Sequence, residues 1–236
     1  MSSQPLESVA VALDTSDRDE FGRWCRFFGP RVGVLKVGLE AFSRWGPEAI
    51  AEAVTHGSAV FADLKLHDIP NTVAGAVQAV RRLGVDYLTV HAGGGPAMLE
   101  AAAAAAGDRL RLLAVTLLTH LDEPALGALD LPGEGPERAA RWARMAQAAG
   151  CGGAVCSPAE VRRLRRELDP PFVLVTPGIR PGDPPRDDDQ RRTATPETAL
   201  ADGSDLLVIG RPLTRAEDPE RALAALAERL AGVRSA

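Results

Sequence analysis

Short aliphatic runs recur along the chain at a near-regular spacing. VAVAL (9–13), GVLKV (33–37), AVFADL (59–64) and DYLTV (86–90) are followed by LLAVTLL (112–118), GGAVC (152–156), FVLVT (172–176) and DLLVI (205–209). Each is the length of a strand, and together they predict eight of them. Helical patterns fill the intervals, over 19–28, 47–55, 72–83, 96–106, 136–149, 158–168 and 196–201, with a last one from 219 to about 231. Several open on proline, which suits the first helical position, and Gly84 and Gly150 fall where helix C-caps are expected. Eight strand–helix alternations predict an α/β fold, a (β/α)8 TIM barrel, a fold that typically takes about 250 residues. A doubly wound sheet has the same alternation, because counting strands does not reveal closure. The absence of GxGxxG after the first strand weakens its dinucleotide-binding form.

No linker or internal repeat divides residues 1–236, so one barrel domain is expected. One segment, about 177–195, resists assignment. It is rich in Pro, Gly, Asp and Arg, and so long an irregular stretch in a compact domain is a functional lid or a disordered insert.

Composition narrows the function classes. The chain is 45% hydrophobic but only 4% aromatic, so aliphatic and alanine packing must build the core. A formal charge of −5 argues against nucleic acid as a partner. The basic stretch RRLRREL (162–168) has helical spacing and reads as a solvated helix face; the alanine run 101–106 reads as helix. Cys25, Cys151 and Cys156 have neither disulfide-framework nor zinc spacing. The first residues lack a signal-peptide pattern and no stretch approaches eighteen apolar residues, so a cytoplasmic protein with no membrane partner is expected.

Polar residues concentrate where the strands end. Asp14 follows the first, Lys36 lies in the second, Asp63 and Lys65 in or just after the third, and His91 after the fourth. Thr119 lies beyond the fifth, Arg180 in the TPGIR turn after the seventh, and Gly210 and Arg211 after the eighth. In a barrel, the C-terminal strand ends build the active site. Strand alternation places Asp63 and Lys65 on one face and Ala62 and Leu64 on the other, and Lys36 with Val34. Lys36, Asp63, Lys65 and Asp68 could thus converge at the mouth.

Such a cluster could be a structural salt-bridge network, although partly buried ion pairs are poor stabilisers. It also has a chemical use. Flanking carboxylates favour an ammonium at Lys65, a proton donor rather than the free amine a Schiff base requires. At an effective dielectric near 20, each contact at about 4 Å contributes roughly 4 kcal/mol before desolvation is subtracted. Arg180 and Arg211 fall in the loops after strands seven and eight, the usual phosphate site of such barrels.

VALD (11–14), KVG (36–38), DLKLHDIPNTV (63–73), GVDYLTVHAGGG (84–95), TPGIR (176–180), DDQRRTATP (188–196) and IGRPLT (209–214) occur in the order of the orotidine 5′-phosphate decarboxylase family, which the chain resembles over nearly its whole length. DxKxxD is the most specific of these motifs. The resemblance implies decarboxylation of orotidine 5′-phosphate to UMP without a cofactor, in a homodimer. It implies that Asp14 binds ribose hydroxyl and that Lys36 joins the charged network and contacts ribose. Asp63 would sit beside the substrate carboxylate and Lys65 would protonate ring carbon C6. Asp68 and Thr72 would reach the neighbouring subunit's site and Thr119 the pyrimidine, while Arg180, Gln190, Gly210 and Arg211 would serve the phosphate. The stretch around Gln190 would be a loop that closes over the nucleotide.

The chain departs from the common pattern at His120 (after Thr119), Ala62, and HAGGG in place of HASGG, none of them in the charged cluster. His67 and His91 read as packing or hydrogen-bonding residues rather than metal ligands. Two other readings stay open: a Mg²⁺-dependent sugar-phosphate decarboxylase or aldolase-like relative with the same DxKxxD pattern, and a non-catalytic phosphate-binding barrel.

Overall fold

The computed structural model describes residues 6–131, 134–168, 170–182 and 193–233. Eight parallel strands close into a barrel in sequence order: β1 (Val9–Ala12), β2 (Val34–Gly38), β3 (Ala59–Leu66), β4 (Tyr87–His91), β5 (Arg111–Val115), β6 (Gly153–Val155), β7 (Val173–Thr176) and β8 (Leu206–Ile209). Closure through β1–β8 pairing, with Val9 opposite Leu207, excludes the doubly wound alternative. All eight expected strands are present. The fifth stops at Val115 rather than at residue 118, and the third runs on to Leu66.

The side-chain period of two sorts each strand between two packing layers. Val9, Val11, Leu13, Leu35, Val37, Val60 and Ala62 point outward into the shell between barrel and helices. Ala10, Val34, Phe61, Leu113, Val175 and Leu206 point inward and fill the barrel as a dry layer, with Phe61 and Tyr87 edge to face at 6.2 Å. That layer is the floor beneath everything polar at the C-terminal strand ends.

The eight expected helices are found within one or two residues of their predicted bounds. Proline opens Pro47–Val54, Pro70–Arg81, Pro158–Glu167, Pro196–Ala201 and Pro219–Val233. Three short helices were not legible in the pattern: Leu39–Trp45, Glu123–Ala128 and Arg211–Thr214. At four to seven residues they are too short to show a period. In Pro158–Glu167 the basic stretch splits as amphipathicity requires, with Val161 and Leu164 buried while Arg162 pairs with Asp202, Arg163 with Glu137 and Glu167, and Arg165 with Asp205. None of the described helices is long and apolar enough to cross a membrane.

Candidate active site

At the C-terminal end of the barrel the dry layer gives way to a cavity of about 640 Å³. Its walls carry Asp14, Lys36, Asp63, Lys65, Thr119, Arg180, Gly210 and Arg211, contributed by the ends of six different strands. Inward-pointing Ala12, Phe61, Val115, Val155 and Val208 form its base. Of the residues singled out from sequence, those eight are brought together. Asp68 and Thr72 are not among the lining residues and are exposed. Gln190 lies outside the described residues.

The charged groups form a chain of contacts. Lys36 Nζ lies 3.1 Å from Asp14 Oδ1 and 3.5 Å from Asp63 Oδ2, and Lys65 Nζ donates to Asp63 Oδ1 at 2.8 Å. Exposure grades along it, from 8% for the Lys36 side chain and 14% for Asp63 to 31% for Lys65 and 48% for Asp14. The array is therefore most buried at its centre, Lys36 and Asp63, and opens toward the cavity at Lys65 and Asp14. Burial pushes the Lys36 ammonium down, but Asp63 and Asp14 outweigh it and raise the group above its ordinary value. Burial likewise pushes the Asp63 carboxyl up, yet Lys36, Lys65 and the hydrogen bonds from Lys65 and Thr89 hold it below the usual carboxylate range. Asp63 is thus an anion fixed between Lys36 and Lys65.

Gly38 makes this packing possible. A Cβ there would stand 2.5 Å from Asp14 Oδ1 and 2.9 Å from Lys36 Nζ, so a side chain would force one or both of these groups to shift.

Lys65 does not continue β3 regularly. The β3–β4 ladder pairs Ala62 with Leu88 and next Leu66 with Val90, so four steps along β3 face two along β4. The excess is taken up at Lys65, whose φ of 50° is left-handed. In a residue with a Cβ that conformation costs on the order of 1–2 kcal/mol. Thr89 compensates within the bulge: its hydroxyl accepts from the Lys65 backbone N–H at 2.9 Å and donates to Asp63 Oδ1 at 3.0 Å. One buried hydroxyl therefore sets the backbone of Lys65 and the orientation of its carboxylate partner. Thr89 does not stand out in the sequence. The only signal was a polar residue inside DYLTV, and threonine in a strand is ordinary.

The opposite wall is cationic. Arg180 follows a Gly178 turn, and its backbone N–H donates to Ala194 O at 2.9 Å, while Ala194 N–H returns to Gly178 O at 3.3 Å. An isolated parallel bridge, Ile179 with Ala194, thereby ties together the two ends of the unassigned segment at the cavity rim. Arg211 begins the short helix after β8, and Gly210 is its N-cap, where an added Cβ would lie 3.4 Å from Ala12 Cβ. The cavity thus has a carboxylate–ammonium array at one end and two guanidinium groups at the other. It suits an elongated polyanion whose reacting part meets the lysines.

Known proteins are similar to this chain over most of its length. A profile of the Orotidine 5'-phosphate decarboxylase / HUMPS family matches residues 7–226. The chain is 51% identical to Orotidine 5'-phosphate decarboxylase of Thermobifida fusca (strain YX), over 94% of this chain and 95% of that one. It is 48% identical to the enzyme of the same name from Moorella thermoacetica (strain ATCC 39073 / JCM 9320), over 94% and 91%. Among solved structures, Orotidine 5'-phosphate decarboxylase from Lactobacillus acidophilus superposes with a TM-score of 0.82 at 35% identity, covering 94% of this chain and 98% of that one.

Proposed function

This chain belongs to the Orotidine 5'-phosphate decarboxylase / HUMPS family, and from that premise we propose that it is the decarboxylase of the family, converting orotidine 5′-phosphate to UMP with Lys65 as the acid. The observation that carries this reading is the contact of Lys65 Nζ with Asp63 Oδ1 at 2.8 Å, on the lysine-bearing wall of a cavity whose far side holds Arg180 and Arg211. The substrate has the matching shape: an anionic pyrimidine carboxylate at one end, a ribose between, and a phosphate at the other.

With the phosphate held by Arg180 and Arg211, the pyrimidine lies toward the lysines. The C6 carboxylate then meets the Asp63 carboxylate, and its neighbour Lys65 faces C6. Cleavage of the C6–carboxylate bond releases CO2 and leaves the electron pair on C6. The Lys65 ammonium stabilises that charge as it develops and then transfers its proton to C6, giving UMP and a neutral amine that recovers a proton from solvent. Because the ammonium is positioned before reaction, little reorganisation is needed at the transition state. Lys36 keeps Asp63 ionised against its own burial, and Asp14 and Lys36 are placed to receive ribose hydroxyls. Thr119 faces the pyrimidine. On this reading the protein's own charges supply the electrostatics and no cofactor takes part.

Asp68 and Thr72 we assign to the site of a second subunit in a homodimer. Asp68 is exposed at the end of β3 beside Ile69, a large apolar side chain 67% exposed, and Thr72 is exposed in the first turn of Pro70–Arg81. An exposed apolar and acidic edge next to the cavity suits an interface through which one subunit completes the other's site. The segment near Gln190, between the tied ends at Ile179 and Ala194, we assign to closure over the phosphate.

Arg211→Ala tests the polarity of the site. Removing a charge-assisted contact to phosphate should lower kcat/KM for orotidine 5′-phosphate by about 10²-fold, while the truncated nucleoside is turned over within about threefold of wild type. Steady-state kinetics on both substrates reads this directly. An equal loss on both would place Arg211 outside phosphate recognition.

A further inference from the structure

Two imidazoles at the barrel mouth take no part in the reaction as derived. His91 ends β4 and His67 follows the last residue of β3. Their rings are stacked, 10° from parallel with centroids 5.2 Å apart. His91 is held from two other directions. Its Nδ1 accepts from the Gly93 backbone N–H at 3.1 Å, and the Trp142 ring stands edgewise to it at 6.1 Å. Burial, then the charges of His67 and Lys65, lower the His91 imidazole below its ordinary value, consistent with a neutral ring whose Nδ1 is an acceptor.

Side chains at Gly93 and Gly94 would meet this ring pair. A Cβ at Gly93 would lie 3.0 Å from His91 Nδ1 and 3.7 Å from His67 Cε1, and one at Gly94 would lie 3.3 Å from His67 Cδ2. The departure from HASGG to HAGGG falls at Gly93, where an added Cβ would stand closest to the His91 ring.

The position of the pair gives it a use. Leu66 with Val90 is the last rung between β3 and β4, and Lys65 just before it is in the left-handed conformation. Beyond Leu66 the chain leaves the sheet, and the Asp68 carboxylate turns back to accept from the Ile69 N–H at 2.6 Å. Residues 65–68 therefore carry a proposed acid at one end and a proposed cross-subunit carboxylate at the other. Thr89 anchors the first end through the Lys65 N–H. The ring stack links the second end to β4 after the ladder has ended.

We propose that the His67–His91 stack is a positioning clamp that fixes the turn between Lys65 and Asp68, so that His67 acts as a positioning residue through its ring face rather than through proton transfer. This rests on the decarboxylase reading for its catalytic consequence, but the clamp itself has a readout that does not depend on activity.

The test compares His67→Ala and His67→Phe with wild type in the full chain, each checked for the same oligomeric state by gel filtration. Amide hydrogen exchange over residues 66–69 should be faster in His67→Ala and return to wild-type protection in His67→Phe, which keeps an aromatic face and cannot titrate. Saturating orotidine 5′-phosphate should show kcat lowered about 10- to 100-fold in His67→Ala, as a displacement near 1 Å produces, and restored to within about threefold in His67→Phe. UMP affinity should stay within a few-fold throughout. Unchanged exchange in His67→Ala would overturn the clamp. So would a His67→Phe variant as fast-exchanging or as slow in turnover as His67→Ala, since the imidazole's own chemistry would then be the requirement. If wild type itself leaves orotidine 5′-phosphate unconsumed, the decarboxylase reading fails, and the exchange data still decide the clamp.

Discussion

Lys65→Ala is expected to lose decarboxylation by at least about 10⁴-fold while UMP still binds within a few-fold of wild type. The magnitude follows from two roles held by one group. General acid catalysis contributes about 10²- to 10⁴-fold, and a preorganised charge at a developing anion about a further 10²- to 10³-fold. Removal of the side chain takes away both. It leaves the Arg180–Arg211 wall and the Asp14–Lys36 pair in place, so product affinity survives. Asp63 keeps its contacts with Lys36 and Thr89, which limits structural damage. Single-turnover kinetics with orotidine 5′-phosphate, alongside UMP titration, separates chemistry from binding. Activity within tenfold of wild type would remove Lys65 from its assigned role.

Mixing two inactive variants, Lys65→Ala and Asp68→Ala, should recover roughly a quarter of wild-type activity once subunits have exchanged in a two-fold dimer. The expectation rests on the proposed assignment of Asp68 to the second subunit's site, with which the geometry of one subunit is compatible. Asp68 is exposed and absent from the lining of its own cavity, whereas Lys65 lines it. If Asp68 serves the partner's site, each hybrid dimer has one site bearing both lesions and one site bearing neither. With random exchange of equal amounts, half the dimers are hybrids and half of their sites are intact. If Asp68 folds back toward its own Lys65, every site carries one lesion and mixing restores nothing. Subunit exchange must be shown independently, for example by energy transfer between labelled protomers. No recovery after demonstrated exchange would overturn the shared site.

Much of this site was legible in the chain because period two and strand order are enough to place it. Lys36 shares a face with Val34, and Asp63 a face with Phe61; both follow the inward floor residues to the mouth. Arg180 and Arg211 were legible from their loops, since the ends of β7 and β8 are adjacent in a closed barrel. What alternation cannot supply is irregularity. The bulge at Lys65 depends on pairing between β3 and β4, a relation over more than twenty residues that no local pattern records. Thr89 and Gly38 matter only through that tertiary geometry, one by filling the bulge and the other by yielding space to a charge pair. The stacking of His67 on His91 was invisible for the same reason, although packing or hydrogen bonding was the expected role for both. The expected convergence of Asp68 with the lysines has its counterpart within one subunit in Asp14, which stands against Lys36 at 3.1 Å.

The charged array also limits what substitutions the site can accept. Replacing Lys36 would leave Asp63, buried and hydrogen-bonded to Thr89, with one cationic neighbour instead of two. Leaving a buried charge wholly uncompensated costs on the order of 3–5 kcal/mol, and the remaining Lys65 contact keeps the cost at Asp63 below that. The same residues that make the cavity reactive are therefore held there at some expense in stability, and Gly38, Thr89 and the floor around Phe61 are the features that keep them in register.

The most direct measurement of the central claim is the rate at which chelator-treated protein consumes orotidine 5′-phosphate, followed by absorbance with UMP quantified at the end point. The account predicts one UMP for each substrate consumed, at a rate unchanged by the chelator. A rate that disappears on chelation and returns with Mg²⁺, or a protein that binds UMP yet leaves orotidine 5′-phosphate unchanged, would contradict it.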